Sequence, residues 1–207
     1  GLWYMGFNWR DPVVGAGDTP EQAERNRKLR QAISIAVDWE QYVAIFEANQ
    51  AQPANGPVPP GMVGHVEGEA GINREVYDVV DGRPVRKSLD EAKRLLAEAG
   101  YPNGREAASG RPLVLHYDAM GGASGSRPQY DWMQRQFAKL GIQLEIRSTD
   151  YNRFQEKMRN GVAQIFMWGW LADYPDAENF LFLLYGPHAK AENDGEKTVF
   201  EIEGEIA

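Results

Sequence analysis

Cysteine is missing from all 207 residues, which excludes disulfides, thiolate zinc sites, iron–sulfur clusters and cysteine nucleophiles together. Long apolar runs are missing too. The longest, residues 165–168 and 180–185, are strand or short-helix sized, far below the ~18–20 residues a membrane span needs. Positive charge is scarce: 22 Lys and Arg stand against 30 Asp and Glu, a net charge of −8. Without a basic cluster, nucleic acid and anionic lipid are disfavoured as main partners, because phosphate binding draws on Lys and Arg. The run Arg25, Arg27, Lys28 and Arg30 is too small to change this and reads as a solvated helix end.

Metal and cofactor signatures are equally thin. His65, His116 and His188 lie far apart with no His-Glu-x-x-His pairing. Asp173-x-x-Asp176-x-Glu178 lacks the acidic alternation and central Gly of a calcium loop. The Gly/Ser stretch at residues 121–126 lacks the Gly-Lys-Ser/Thr ending of a P-loop and reads as a flexible loop. No cofactor and no metal are expected. What remains, 43% apolar and 25% charged residues, suits a globular chain able to bury ~70% of its unfolded surface. The chain starts at Gly1 without a secretory leader pattern, so a removed leader or a piece of a longer protein is expected.

The pattern along the chain alternates strands and helices. Residues 2–9, aromatic and apolar, read as a buried strand stopped by Asp11-Pro12. Thr19-Pro20-Glu21 starts a helix, and the apolar spacing from Leu29 to Phe46, with Asp38 inside it, predicts two consecutive helices. Residues 50–64 hold four of the 12 prolines and form an unusually long irregular connection. Ser88 caps a helix ending at Gly100. Then come a strand at 113–117, a helix at 128–140 with Trp132, Phe137 and Leu140 in the core, and a strand at 143–148. A helix from Asp150 to Arg159 and a buried strand at 163–170 complete the pattern. Strand, helix, strand, helix, strand in that order is a βαβ pattern, favouring a parallel or mixed sheet covered by helices.

Chemistry concentrates where the last strand ends, in Trp168-Gly169-Trp170-Leu171-Ala172-Asp173-Tyr174-Pro175-Asp176. Ligands of α/β sheets bind beyond the carboxyl ends of strands. Asp173, between Trp170 and Tyr174, could hold an ammonium group while the rings cover apolar surface. The alternative is that Asp173 and Asp176 cap a helix starting near Ala177, with the Trp residues in the core.

Several segments in this order resemble one family, the extracellular solute-binding proteins of family 5, which include the dipeptide- and oligopeptide-binding proteins of ABC importers. They are the opening strand ending Gly6-Phe7-Asn8, then Leu29-Arg30-Gln31-Ala32-Ile33 with Ala36-Val37-Asp38, and Gly56-Pro57-Val58-Pro59-Pro60-Gly61. Asp90-Glu91-Ala92-Lys93-Arg94-Leu95-Leu96 running to Gly100-Tyr101-Pro102-Asn103-Gly104 follows, then Leu140-Gly141-Ile142, Trp170-x-x-Asp173-Tyr174-Pro175-Asp176 and Asn179-Phe180. The likeness covers about residues 2–188.

The resemblance implies an α/β fold, a lobe of the type II periplasmic-binding-protein kind. Residues 1–190 would form most of the second lobe of a two-lobe protein, and 191–207 a frayed or artificially appended tail. It implies an exported protein, periplasmic or extracellular, with a lipid anchor as one form of attachment, that captures a peptide or similar solute. The first lobe and a membrane permease would be its partners, with no nucleic acid and no enzymatic activity. By resemblance Asp173 pairs with the ligand's α-amino group, and Trp170, Gly169, Trp168 and Tyr174 line the same site. Some relatives place an Arg three or four residues before the Trp to hold a carboxylate, where this chain has Phe166 and Met167. The usual Tyr-Asp-Pro before the Leu-Leu helix is replaced by Arg86-Lys87-Ser88-Leu89. A hydrolase using Asp173 with Asp176 or Glu178, a lobe for a nickel complex, haem, opine or sugar, and a domain with no ligand at all are the alternatives.

Overall fold

The computed structural model describes residues 1–48, 50–121 and 126–185, and the backbone of 191–193 and 196–198. Its centre is a sheet ordered β1, β6, β4, β5, with β1 Leu2–Phe7, β4 Val114–Met120, β5 Gln143–Thr149 and β6 Ile165–Trp170. The last three are parallel, and β1 runs antiparallel along β6, pairing Leu2 with Trp170 and Phe7 with Ile165. This is the mixed, mainly parallel sheet that the βαβ pattern implies. Because the chain steps from β4 to β5 on one side and from β5 to β6 on the other, right-handed crossovers put the intervening helices on opposite faces. Accordingly α4 (Arg127–Ala138) covers one face and α5 (Tyr151–Arg159) the other.

Alternation along each strand sorts the side chains. Met5, Phe7, Leu115, Tyr117, Ala119 and Ile165 join the larger core beneath α4, α1 (Pro20–Ala36), α2 (Trp39–Phe46) and α3 (Leu89–Glu98). Leu2, Tyr4 and Phe166 face the other way, into a smaller core with Phe154 and Met158 of α5 and Phe180 of the short α6 (Glu178–Leu181). Trp132, Phe137 and Leu140 are buried as expected.

Local signals act where the sequence places them. The side chains of Thr19, Asp38, Ser88 and Asp150 each accept a hydrogen bond from the backbone N–H three residues on, satisfying a donor that the helix start leaves open. The first strand ends at Phe7 rather than Trp9, because Asn8 turns inward and donates to the carbonyls of Gly161 (2.8 Å) and Ala163 (2.7 Å). The same contact delays β6 to Ile165, short of the expected start at Ala163.

Two features depart further from the sequence reading. Arg30, taken above as part of a solvated helix end, is buried. Its Nη1 donates to the carbonyls of Val14 (2.9 Å) and Gly15 (2.8 Å), and its guanidinium lies 4.6 Å from the Trp9 ring. A cation on the inner face of α1 is tolerated because these partners replace its water. A hairpin not anticipated, β2 (Tyr77–Val80) and β3 (Arg83–Arg86), turns at Asp81-Gly82 with positive φ at both residues. Arg86 staples it to the α1–α2 junction, donating to Glu40 (2.9 Å), the Tyr77 hydroxyl (2.7 Å) and the Ser34 carbonyl (2.9 Å).

At the far end, β7 (Ala191–Asn193) and β8 (Glu196–Thr198) pair as a short antiparallel ribbon, where the sequence suggested only a tail. Gly122–Gly125 of the Gly/Ser loop, His188, and the rest of the tail lie outside the described residues.

Candidate functional site

The carboxyl ends of β4 and β6 and the amino end of β1 meet at one edge of the sheet. There Trp168 and Trp170, two residues apart, point to the smaller core. Trp168 packs edge-on against Phe154 with 5.2 Å between rings, and Trp170 stacks likewise on Phe182 at 5.2 Å. Gly169, between them, faces the opposite way, and a side chain there would meet the ring of Trp3.

Beyond Trp170 the chain turns through an exposed loop. Asn179, buried, fixes it: one side-chain oxygen accepts from the Trp170 indole (2.9 Å) and from the backbone N–H of Asp173 (3.0 Å). The Asp173 carboxylate is exposed and has no hydrogen bond or ion pair among the described residues. Asp176 accepts from the backbone N–H of Glu178 (2.9 Å), closing a turn one residue ahead of the Ala177 N-cap of α6, which itself has no side-chain capping bond. The Tyr174 hydroxyl donates to Glu178, whose carboxylate holds the phenol above its usual pKa against the opposing hydrogen bond of Asn179. Of the three acids here, Asp173 is thus the one held in place by its backbone with its charge left open.

A cleft of about 1050 Å³ opens on the other face at the same edge. Its lining is aromatic and methionine-rich: Trp3, Trp39, Tyr42, Tyr117 and Tyr130 with Met120, Met133 and Met167. Trp39, Tyr42, Phe46 and Trp132 support it from beneath as a ring cluster with centroids 4.9–6.3 Å apart. Burial raises the Tyr42 phenol pKa, the Glu47 charge adds to the rise, and a hydrogen bond with Gln129 opposes it. Burial also raises that of Tyr117. None of Trp168, Gly169, Trp170, Asp173 or Tyr174 lines the cleft.

The long connection ties the two places together. Residues 50–60 supply much of the cleft wall, and Val63 then forms a parallel bridge with Asp176 in the loop after β6. Leu2 lines the cleft and pairs with Trp170, and Asp173 lies three residues farther on, a reach of at most ~11 Å. Sequence reasoning flagged the connection by its length, its prolines and the family resemblance of residues 56–61. The cleft itself carries no sequence signature, since its walls come from six separate segments.

Residues 1–192 match the family described as bacterial extracellular solute-binding proteins, family 5 middle. The chain belongs to that family. It is 27% identical over 155 residues to Di/tripeptide-binding protein 2 of Pseudomonas aeruginosa, which covers 74% of this chain and 26% of the relative. It is 28% identical over 163 residues to Heme-binding protein A of Haemophilus influenzae, covering 78% of this chain and 26% of that protein. Among solved structures, the ABC transporter-associated periplasmic binding protein DppA of Helicobacter pylori, in complex with the peptide STSA, superimposes with a TM-score of 0.65. That match has 23% identity and covers 87% of this chain and 29% of the other, and it establishes the fold. This family 5 chain therefore spans about a quarter of the length of the curated relatives it matches. The names of those two relatives describe binding proteins rather than enzymes.

Proposed function

We propose that this chain is the ligand-binding part of a second lobe, residues 1–190, in an extracytoplasmic solute-binding protein that captures peptides or similar small solutes for an ABC importer. The ligand's α-ammonium pairs with Asp173, while Trp170 and Gly169 shape the ground beside it and Trp168 and Tyr174 support the loop. The observation that carries this reading is the Asp173 carboxylate: its backbone is pinned by Asn179, and its charge has no partner among the described residues. Once a first lobe closes over it and removes its water, a positioned carboxylate discriminates strongly against ligands that leave it unpaired. The family supports the rest: an exported, non-enzymatic protein whose first lobe closes the site and whose permease receives the solute.

The test is a tryptophan-fluorescence titration of the chain and its Asp173→Ala variant with short peptides and their N-acetylated forms. Saturable binding that falls at least about 10-fold on acetylation, or on losing Asp173, is expected. Binding indifferent to both changes removes Asp173 from the site.

A further inference from the structure

The charge inventory of the cleft narrows the ligand. Among the described residues that line it there is no Lys or Arg side chain and Glu47 is the one carboxylate, while His65 has its Nδ1 engaged by the Val58 carbonyl at 2.7 Å. The remaining walls are the aromatic rings, methionines and neutral polar groups such as Gln129. Apart from the Gly1 ammonium at the rim, a ligand carboxylate entering here would lose water, gain no cationic side chain from the described lining and face Glu47, a costly arrangement for a charge that is being desolvated. An apolar body would instead exchange water for rings and polarizable thioethers, and a cationic one would also meet ring faces.

We infer that the cleft is a specificity pocket for an apolar or aromatic ligand portion that is neutral or cationic and carries no carboxylate. This rests on the reading of Asp173 as the amine anchor. With anchor and cleft separated by a few residues' reach, one ligand of two or three residues fills both. The selected class is then an amine with a hydrophobic body and a blocked or distant carboxyl group, in preference to a free acidic dipeptide.

The experiment titrates the 207-residue chain, acetylated at Gly1 so that its terminal ammonium on the cleft rim is neutral, with three probes. They are phenylalanyl-phenylalanine, its C-terminal amide, and the N-acetylated amide. The amide is expected to bind at least about 10-fold tighter than the free acid. Glu47→Lys, at an exposed lining position, is expected to close most of that gap by strengthening acid binding, and Met167→Arg to do so from the cleft floor. Equal or tighter binding of the free acid by the unaltered chain overturns the inference, as does an acid affinity unmoved by both substitutions. Amide binding that is unchanged by N-acetylation, with the free acid still weaker, keeps the cleft assignment and overturns the role of Asp173. Binding of none of the three overturns both.

Discussion

On one face of β4, Leu115, Tyr117 and Ala119 join the apolar core shared with α1 to α4; on the other, Met120 packs against the smaller core and Asp118 is buried against Lys157 of α5. The large face resembles an ordinary domain core and carries the fold. The small face is narrower, so it relies on polar anchors: the Asp118–Lys157 pair and the Asn179 oxygen that holds Trp170 and Asp173. One side thus supplies stability and a preformed apolar cleft, and the other holds a charged loop in place. For the proposed site, this arrangement would separate an apolar pocket from an accessible charge.

Removing the keystone of the large face is the severest way to test this division. Trp132 is 2% exposed, touches three other rings and donates to Gln41 at 2.7 Å. Trp132→Ala is expected to cost about 3–5 kcal/mol, read as a large fall in the urea midpoint. That is a large fraction of what a domain of this size has. A loss below about 1 kcal/mol would show that the ring cluster is not the support of the cleft.

On the small face the expected cost is less and its origin different. Asp118 is 1% exposed while Lys157 keeps 28% of its side chain in solvent, and one Asp118 oxygen has no hydrogen-bond partner. Asp118→Ala is expected to cost about 2–3 kcal/mol, since the lysine then loses the partner that offsets its partial burial. Replacing both, Asp118→Leu with Lys157→Met, is expected to recover most of that loss. A double-mutant cycle by chemical denaturation checks the coupling. Strict additivity of the two changes would show the pair to be incidental.

The same contrast explains what could be read in the sequence. The caps at Thr19, Asp38, Ser88 and Asp150 are local, each needing only a backbone N–H three residues away, and all were legible. The hairpin turning at Asp81-Gly82 was missed although that pair favours a two-residue turn, because the short flanking strands Tyr77–Val80 and Arg83–Arg86 carry little alternation. The burial of Arg30 was not legible either, because its partners are the carbonyls of a loop half a helix away and the ring of Trp9. Position at the end of a strand marked Asp173 as a candidate, and alternation already divides Trp168 and Trp170 from Met167. The cleft stayed hidden because a proline-rich connection makes its wall only after folding back over α2.

Two glycines facing each other's neighbours across β1 and β6 sharpen the comparison at its smallest scale. A Cβ on Gly6 would lie 2.4 Å from the ring of Phe166, which is 2% exposed and locked in the small core. A Cβ on Gly169 would lie 2.7 Å from the ring of Trp3, which is 54% exposed at the cleft mouth. The clash distances are similar, so the difference must come from what can move. Phe166 has no free volume to enter, and Gly6→Ala is expected to cost about 1–3 kcal/mol through overpacking. Trp3 can swing into solvent, and Gly169→Ala is expected to cost only about 0.5 kcal/mol, roughly the size of a surface substitution. Thermal melts of both variants, with Trp3 emission followed in the second, measure the difference. Equal costs would mean that Trp3 is as fixed as Phe166, which would make it a rigid wall of the cleft rather than a movable rim.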